Sequence, residues 1–506
     1  MVLVVHLPSI VGSIDQGADA VAPGEIARLF SAHSGTVVPG DEPLYATLLF
    51  ELGTRWLTFY RALWGLAPFL TSGLSFAAVA WSVWRVAGGW AASITLSLLV
   101  CASAPMLTQL GMLDGHTLTW FSDSVLISGL VWVLSAGRSL RRSRWVPASV
   151  ALGLLLAVNL ASDQLLFFGG ILPLLGGALW AHRRSQSARS AEGVRYALLV
   201  SAVTIVGSIV VGWQMREHHI VANPGWKVGV AALGTLPSHL ALWVRSLAFL
   251  GGYYTVSPRT PLASVFEISA GVLLLAAVAL LPWVAFRTAT TAASKRVTAE
   301  TSAARDAFVA AWGLSALLVS TVFVLSNAVI GLATTRYVIG VPIAAAALAP
   351  LAVSRRSAVV AMVAAASIYG IGGMLSIADG EASHGPVAVT RSQVNTFVRL
   401  ARAEHVMRGY TSYWDAAPLT WETHFRLLAF PAGPCDTGFC HTDVGYDSAW
   451  YTPHRGVHTF LITDNAKGGM PFRPSSLGPP LATFHVGREF TFLVYGYDIA
   501  SRITRP

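Results

Sequence analysis

The sequence predicts a mostly α-helical, polytopic membrane protein of about ten or eleven spans that carries a small C-terminal α/β domain. Three observations lead there. Of 506 residues, 54% are hydrophobic and 12% charged, with a mean hydropathy of +0.59, above what water-soluble domains carry. The apolar residues fall into runs of about 20, the length of a helix that crosses a ~30 Å hydrocarbon layer. From residue 379 onward the composition turns polar and rich in Pro, Gly, Tyr and Trp. The net charge of +9 does not indicate a nucleic-acid partner. The arginines sit in short segments between apolar runs, where they orient helices, and no recognition motif accompanies them.

Taken in order, Val2 to Gly12 is apolar but too short to span a bilayer, so the reading frame is expected to continue upstream from a basic start. A polar loop, residues 13–62, comes next and crowds Asp15, Asp19, Glu25, Asp41 and Glu42 against the membrane edge. Leu63 to Val83 ends at Arg85; Trp90 to Leu110 and Trp120 to Ala136 flank a short polar turn, and the second ends at Arg138, Arg141, Arg142 and Arg144. Val146 to Trp180 is apolar apart from N-L-A-S-D-Q, with basic clusters at both outer ends. A single helix would put those clusters on opposite sides, so the segment is a hairpin turning near Asp163. Tyr196 to Trp213, Ser264 to Phe286, Ala307 to Ile330, Tyr337 to Val353 and Ala358 to Ile377 complete the runs. Their parity makes 1–378 a multi-pass domain of the plasma (inner) membrane. It places loop 13–62, the turns at Asp114, Asp163, His218 and Arg336, and an extracytoplasmic domain 379–506 together on the outer face.

In that domain, H-T-F-L-I-T and E-F-T-F-L-V-Y alternate as strands do, and S-Q-V-N-T-F-V-R-L-A-R-A-E-H-V has helical periodicity. Cys101 lies in an apolar run and reads as a small buried hydrophobe. Cys435 and Cys440, in an exported domain, suit a disulfide better than a metal site, because no second cysteine pair accompanies them. Tyr413, Trp414 and Trp421 beside Asp415 have the character of a sugar-binding face for an acceptor; the plainer reading is that such rings form the core.

Charge held so close to lipid is usually functional, although Asp15, Asp19 or Asp41 could each simply cap a helix. The pattern D-A-V-A-P-G-E-I-A-R-L-F from Asp19, with D-E-P-L-Y-A-T-L-L-F after it, resembles the first outer loop of the GT-C glycosyltransferases, among them the protein mannosyltransferases and aminoarabinose transferases. A-S-A-P at Ala102 to Pro105 and T-T-R-Y-V-I-G-V-P around Arg336 are similar to later segments of that family. Two positions depart from it: Ala20 stands where the family has a second acid, and Asp41-Glu42 precede a single Pro43.

The resemblance implies an enzyme that moves a sugar, hexosyl or pentosyl, from a polyprenyl-phosphate donor to a glycan, lipid or protein acceptor at the outer face, in contact with membrane lipids. Such a reaction needs a carboxylate to take the acceptor's proton and a cation for the departing phosphate. The matching positions are Asp19 as base, with Asp15, Asp41 and Glu42 as alternative acids, and Arg336 as phosphate ligand. Tyr45, Asp114, His116 and Asp163 are candidates to line the cavity. Asp114 and His116, in L-D-G-H-T, are also suitable ligands for a divalent metal ion, though a D-x-H spacing equally ends a helix. Two other functions share the composition: a lipid or polysaccharide transporter, and a non-catalytic envelope-assembly protein of the same fold. Transporters commonly show internal repeats and helices broken at mid-membrane; here the acids gather at helix ends instead.

Overall fold

The computed structural model describes residues 37–38, 60–100, 102–103, 106, 109–110, 116–136, 142–220, 229–252, 265, 268–269, 271–279, 281, 299–329, 331–352, 360, 368, 371, 391–435, 438–442, 446–465, 470 and 475–504. The chain divides into two compact units, one of residues 67–212 and 227–382, the other of 1–66, 213–226 and 383–506.

The first unit is helical because no water is present in hydrocarbon to satisfy an open backbone. Its helices are α1 (Tyr60–Ala87), α2 (Gly89–Val100), α3 (Thr117–Ser135), α4 (Arg142–Ser162), α5 (Leu172–Ser185), α6 (Ala188–Glu217), α7 (Leu236–Leu250), α8 (Ala299–Leu325) and α9 (Gly340–Ala352). A π-turn, Phe167–Ile171, leads into α5, and a 3₁₀ segment, Leu332–Val338, leads into α9. Five stretches among the described residues are long and apolar enough to cross a membrane: Thr117–Ser135, Trp145–Ser162, Ala188–Glu217, Ser302–Leu325 and Thr334–Leu351. Several of the other expected spans lie partly or wholly outside the described residues.

Side-chain pairings fix the directions of these helices. Gly153 meets Val203 and Gly207 meets Ala157, so α4 and α6 run parallel; Gly129 meets Tyr196 and Gly193 meets Leu134, so α3 and α6 run antiparallel. The turn at Gln186, in the left-handed region at φ 45°, reverses the chain between α5 and α6. Helices α4 and α5 therefore form the hairpin expected at Asp163. Helix α8 lies along α5, and Arg184 reaches Asp306 at 3.6 Å. The arginines at the ends of α1 and α5 and at the starts of α4, α6 and α8 thus share one end of the unit, in the positive-inside pattern, while Arg216 lies at the far end of α6. The starts of α3 and of α9 belong to the opposite end, with the turn at Asp163.

Contact between α5 and α8 depends on Gly177, where a Cβ would stand 2.7 Å from the Ala307 carbonyl oxygen and 2.9 Å from the Ala311 Cβ. Small residues at such a crossing let two backbones approach when lipid supplies no hydrophobic drive.

The second unit contains a six-stranded mixed sheet in the order β4-β3-β2-β6-β8-β7, and a two-stranded pair of β1 with β5. The strands are β1 (Val37–Val38), β2 (Arg408–Thr411), β3 (Leu428–Cys435), β4 (Gly438–His441), β5 (Tyr446–Asp447), β6 (Thr459–Asp464), β7 (Ala482–Val486) and β8 (Phe490–Tyr495). β3, β2 and β6 are mutually parallel; the outer strands are antiparallel. Helices α10 (Arg391–Ala403) and α11 (Tyr413–Glu422) supply Val394, Phe397, Ala401 and Leu419 to one face, over Phe460, Ile462, Phe492 and Val494. The intervening Leu461, Leu493 and Tyr495 face the other side with Tyr410, Phe430 and Trp450. This is the period-2 alternation that the strand segments show as sequence. Cys435 and Cys440 form a disulfide across the β3–β4 hairpin. Val37 and Val38 pair with Asp447 and Tyr446.

Replacing Gly177 by Leu should lower thermal stability by the equivalent of about 1–3 kcal/mol, the usual scale of overpacking. Leu at Gly73, where a Cβ meets nothing within 4 Å, should leave it unchanged. Melting curves of the purified protein check both.

Candidate functional site

At the end of the membrane unit opposite Arg85, Arg184 and Arg189, three candidates from separate parts of the chain come together: His116, Asp163 and Arg336. His116 precedes α3 with φ 54°, a left-handed conformation that costs a non-glycine residue about 1 kcal/mol and is concentrated at functional positions. It turns the ring inward, so that His116 is buried and its Nδ1–H donates to Asp163 Oδ2 at 2.6 Å. The Thr119 hydroxyl donates to the same oxygen, and the Leu165 backbone N–H donates to Oδ1 at 2.9 Å. Asn159, one turn before Asp163, donates from Nδ2 to Ser122 Oγ at 3.1 Å and to Thr119 Oγ1 at 3.3 Å. The His116 ring meets Tyr337 edge-on at 5.0 Å between centroids, and the Arg336 guanidinium lies 5.6 Å from the centre of the Tyr337 ring.

Arg336 and Tyr337 occupy the 3₁₀ segment, which is anchored on both sides. Thr335 donates to Ser246 on α7 at 3.1 Å, and Gly340 lets the Trp120 ring of α3 close against the start of α9. The result is a half-buried cation beside an aromatic ring, backed by a buried His–Asp pair. Such a surface can hold an anion while the pair behind it fixes the position of the ring.

Asp15, Asp19, Asp41, Glu42, Tyr45 and Asp114 lie outside the described residues. Among the described residues, no group of three or more His, Cys, Asp or Glu side chains assembles as a metal site; the described partner of His116 is Asp163. In the second unit Tyr413 and Trp414 are part-exposed, with rings 5.2 Å apart. Trp421 is a core residue packed on Phe425, and Asp415 is buried as well.

Tyr337, Thr119 and Asn159 complete the cluster without having been prominent in the sequence. Their signals are spacing: Asn159 and Asp163 are one helical turn apart, and Thr119 comes three residues after His116.

The chain overlays ArnT from Cupriavidus metallidurans, an aminoarabinose transferase solved with undecaprenyl phosphate, with a TM-score of 0.54 over 97% of both chains at 14% identity. The fold is that of a GT-C glycosyltransferase. The apo form of the same ArnT gives a TM-score of 0.42 at 14% identity, over 100% of this chain and 98% of the other. The Archaeoglobus fulgidus oligosaccharyltransferase, solved with a tethered acceptor peptide, gives 0.40 at 11% identity, over 88% of this chain and 64% of the other. No protein-family model and no curated protein sequence matches the chain. The GT-C fold and the apolar helices together make this an integral membrane protein.

Asp415 gives the second unit a distinct pH response. Burial is the main cause that raises its carboxyl to about 7, aided by the charge of Asp464 and opposed by the hydrogen bond from Ser412 Oγ at 2.5 Å. An unfolded aspartate titrates near ~3.9. The contribution of Asp415 to stability is therefore full below about pH 4 and is lost as pH rises toward 7, at up to about 1.4 kcal/mol per pH unit. Melting curves across that window should show wild type losing stability with rising pH relative to Asp415→Asn, which cannot ionise; parallel profiles would contradict the assignment.

Proposed function

We propose that the chain is a glycosyltransferase that takes a sugar from a polyprenyl-phosphate donor and places it on a glycan, lipid or protein acceptor of the cell envelope, at the outer face of the inner membrane. The observation that carries this reading is the overlay on ArnT, which runs through nearly the whole of both chains and which was solved with a polyprenyl phosphate. The cluster at the arginine-poor end supports it in chemical terms. Arg336 supplies a planar cation that can form two parallel hydrogen bonds to a phosphate, and Tyr337 and the His116–Asp163 pair hold it in place.

The outer face is supported by the arginine distribution, which puts this cluster opposite the basic end. The pairing of Val37 and Val38 with Asp447 and Tyr446 supports an outer loop, bearing the candidate base, on the same side as the sheet domain. In this reading Asp19 removes the proton from the acceptor as its oxygen or nitrogen attacks the sugar, and the phosphate leaves toward Arg336.

The experiment is transfer of radiolabelled sugar from a synthetic polyprenyl-phosphate donor by purified protein. Asp19→Asn should keep the fold and reduce turnover by ~10²- to 10⁴-fold, the usual size of a general-base contribution, while Asp15→Asn stays near wild type. Loss on Asp15→Asn alone would move the base by four positions. Wild-type protein that binds donor and transfers nothing would favour an assembly protein with a GT-C fold.

A further inference from the structure

We propose that Asp123 is a proton-binding site inside the membrane unit, linked electrostatically to the His116–Asp163 pair. Asp123 lies in α3 within the span Thr117–Ser135 and is 1% exposed. Neither of its carboxylate oxygens has a hydrogen-bond partner among the described residues. The carboxyl rests on the π-turn at Gly169 and Gly170, where any added Cβ would collide with its oxygens, with Leu126 and Leu166 beside it. A wide turn carrying paired glycines opposite a buried acid is a built cradle, and π-turns recur at functional positions.

A bare carboxylate in such a place has lost its hydration and gained nothing in return, whereas the neutral acid loses far less. The acid is therefore held with its proton on. Thr119, one turn before Asp123 on the same helix face, donates to Asp163, and Asp163 lies within electrostatic reach of Asp123. A negative charge on one carboxylate disfavours ionisation of the other. Asp163 can carry its charge because His116 and Thr119 hold it; Asp123 has no such support and keeps the proton.

The other charged groups of the packed elements are remote. His182, Arg183 and Arg184 fall about 12 residues beyond the π-turn along α5, or ~18 Å, and Glu300, Arg305 and Asp306 lie at that same far end of α8. Loss of the proton would set a second negative charge beside Asp163, compete for His116 and disturb the ring of Tyr337. The site therefore carries a charge balance that depends on one buried proton, whatever reaction occurs in front of it.

Infrared spectroscopy of the full-length protein in lipid bilayers tests this without an activity assay. Near neutral pH, wild type should show the carbonyl stretch of a protonated carboxylic acid, shifted in D₂O and missing from Asp123→Asn. On alkaline titration that band should disappear at lower pH in Asp163→Asn than in wild type, and at higher pH in His116→Gln. No difference between wild type and Asp123→Asn would overturn the proton site, and coincident titrations in the three proteins would overturn the linkage. Should Asp123→Asn fail to fold, Gly170→Ala crowds the carboxyl without removing it and should displace the band; an unmoved band would refute the assignment.

Discussion

A polar side chain taken into a membrane protein must find its partners inside the protein, because hydrocarbon offers none. Asp163 meets that demand by becoming a joint between elements. Its two oxygens collect the His116 ring N–H, the Thr119 hydroxyl and the Leu165 backbone N–H, so one carboxylate ties the start of α3 to the turn between α4 and α5. His116 then supports Tyr337, and Tyr337 lies against Arg336. Remove the carboxylate and the start of α3, the turn and the 3₁₀ segment lose their common anchor. Breaking such a buried pair by deleting one partner typically costs ~3–5 kcal/mol, because the other is left uncompensated.

The sheet domain solves a different problem, since water can reach it. Phe460 and Ile462 face one set of helices while Leu461 faces the opposite layer, so its stability comes from two apolar faces rather than from closed polar networks. Ser412 and Asp415 are the exception at the start of α11. There a short hydrogen bond binds the two side chains to one another, and the expected contact from the serine to the helix N–H groups is not made.

Much of this was legible in the sequence, and the limits have physical reasons. Run lengths and arginine positions located the hairpin at Asp163 and the longer described helices, because bilayer thickness and charge asymmetry leave few solutions; α7 (Leu236–Leu250) was missed, since it falls in the stretch between Trp213 and Ser264 that reads as a loop. The cluster was half legible: His116, Asp163 and Arg336 stood out as polar residues at the ends of apolar runs, but their meeting depends on how α3, α4 and the 3₁₀ segment pack, which spacing does not encode. Tyr337 was hidden beside a more conspicuous arginine. Asp123 was hidden because reading hydropathy by runs averages one acid into an otherwise apolar stretch, and the Gly169-Gly170 pair that receives it lies more than 40 residues away in the sequence.

The central claim is that the cluster around Arg336 receives the phosphate of a polyprenyl carrier. Native mass spectrometry of the purified protein with undecaprenyl phosphate measures this directly. Wild type should retain the lipid, Arg336→Lys should retain it more weakly, because an ammonium cannot make the paired hydrogen bonds of a guanidinium, and Arg336→Ala should lose it by about tenfold or more in affinity, the scale of one charge-assisted contact. Equal retention by all three proteins would contradict the account.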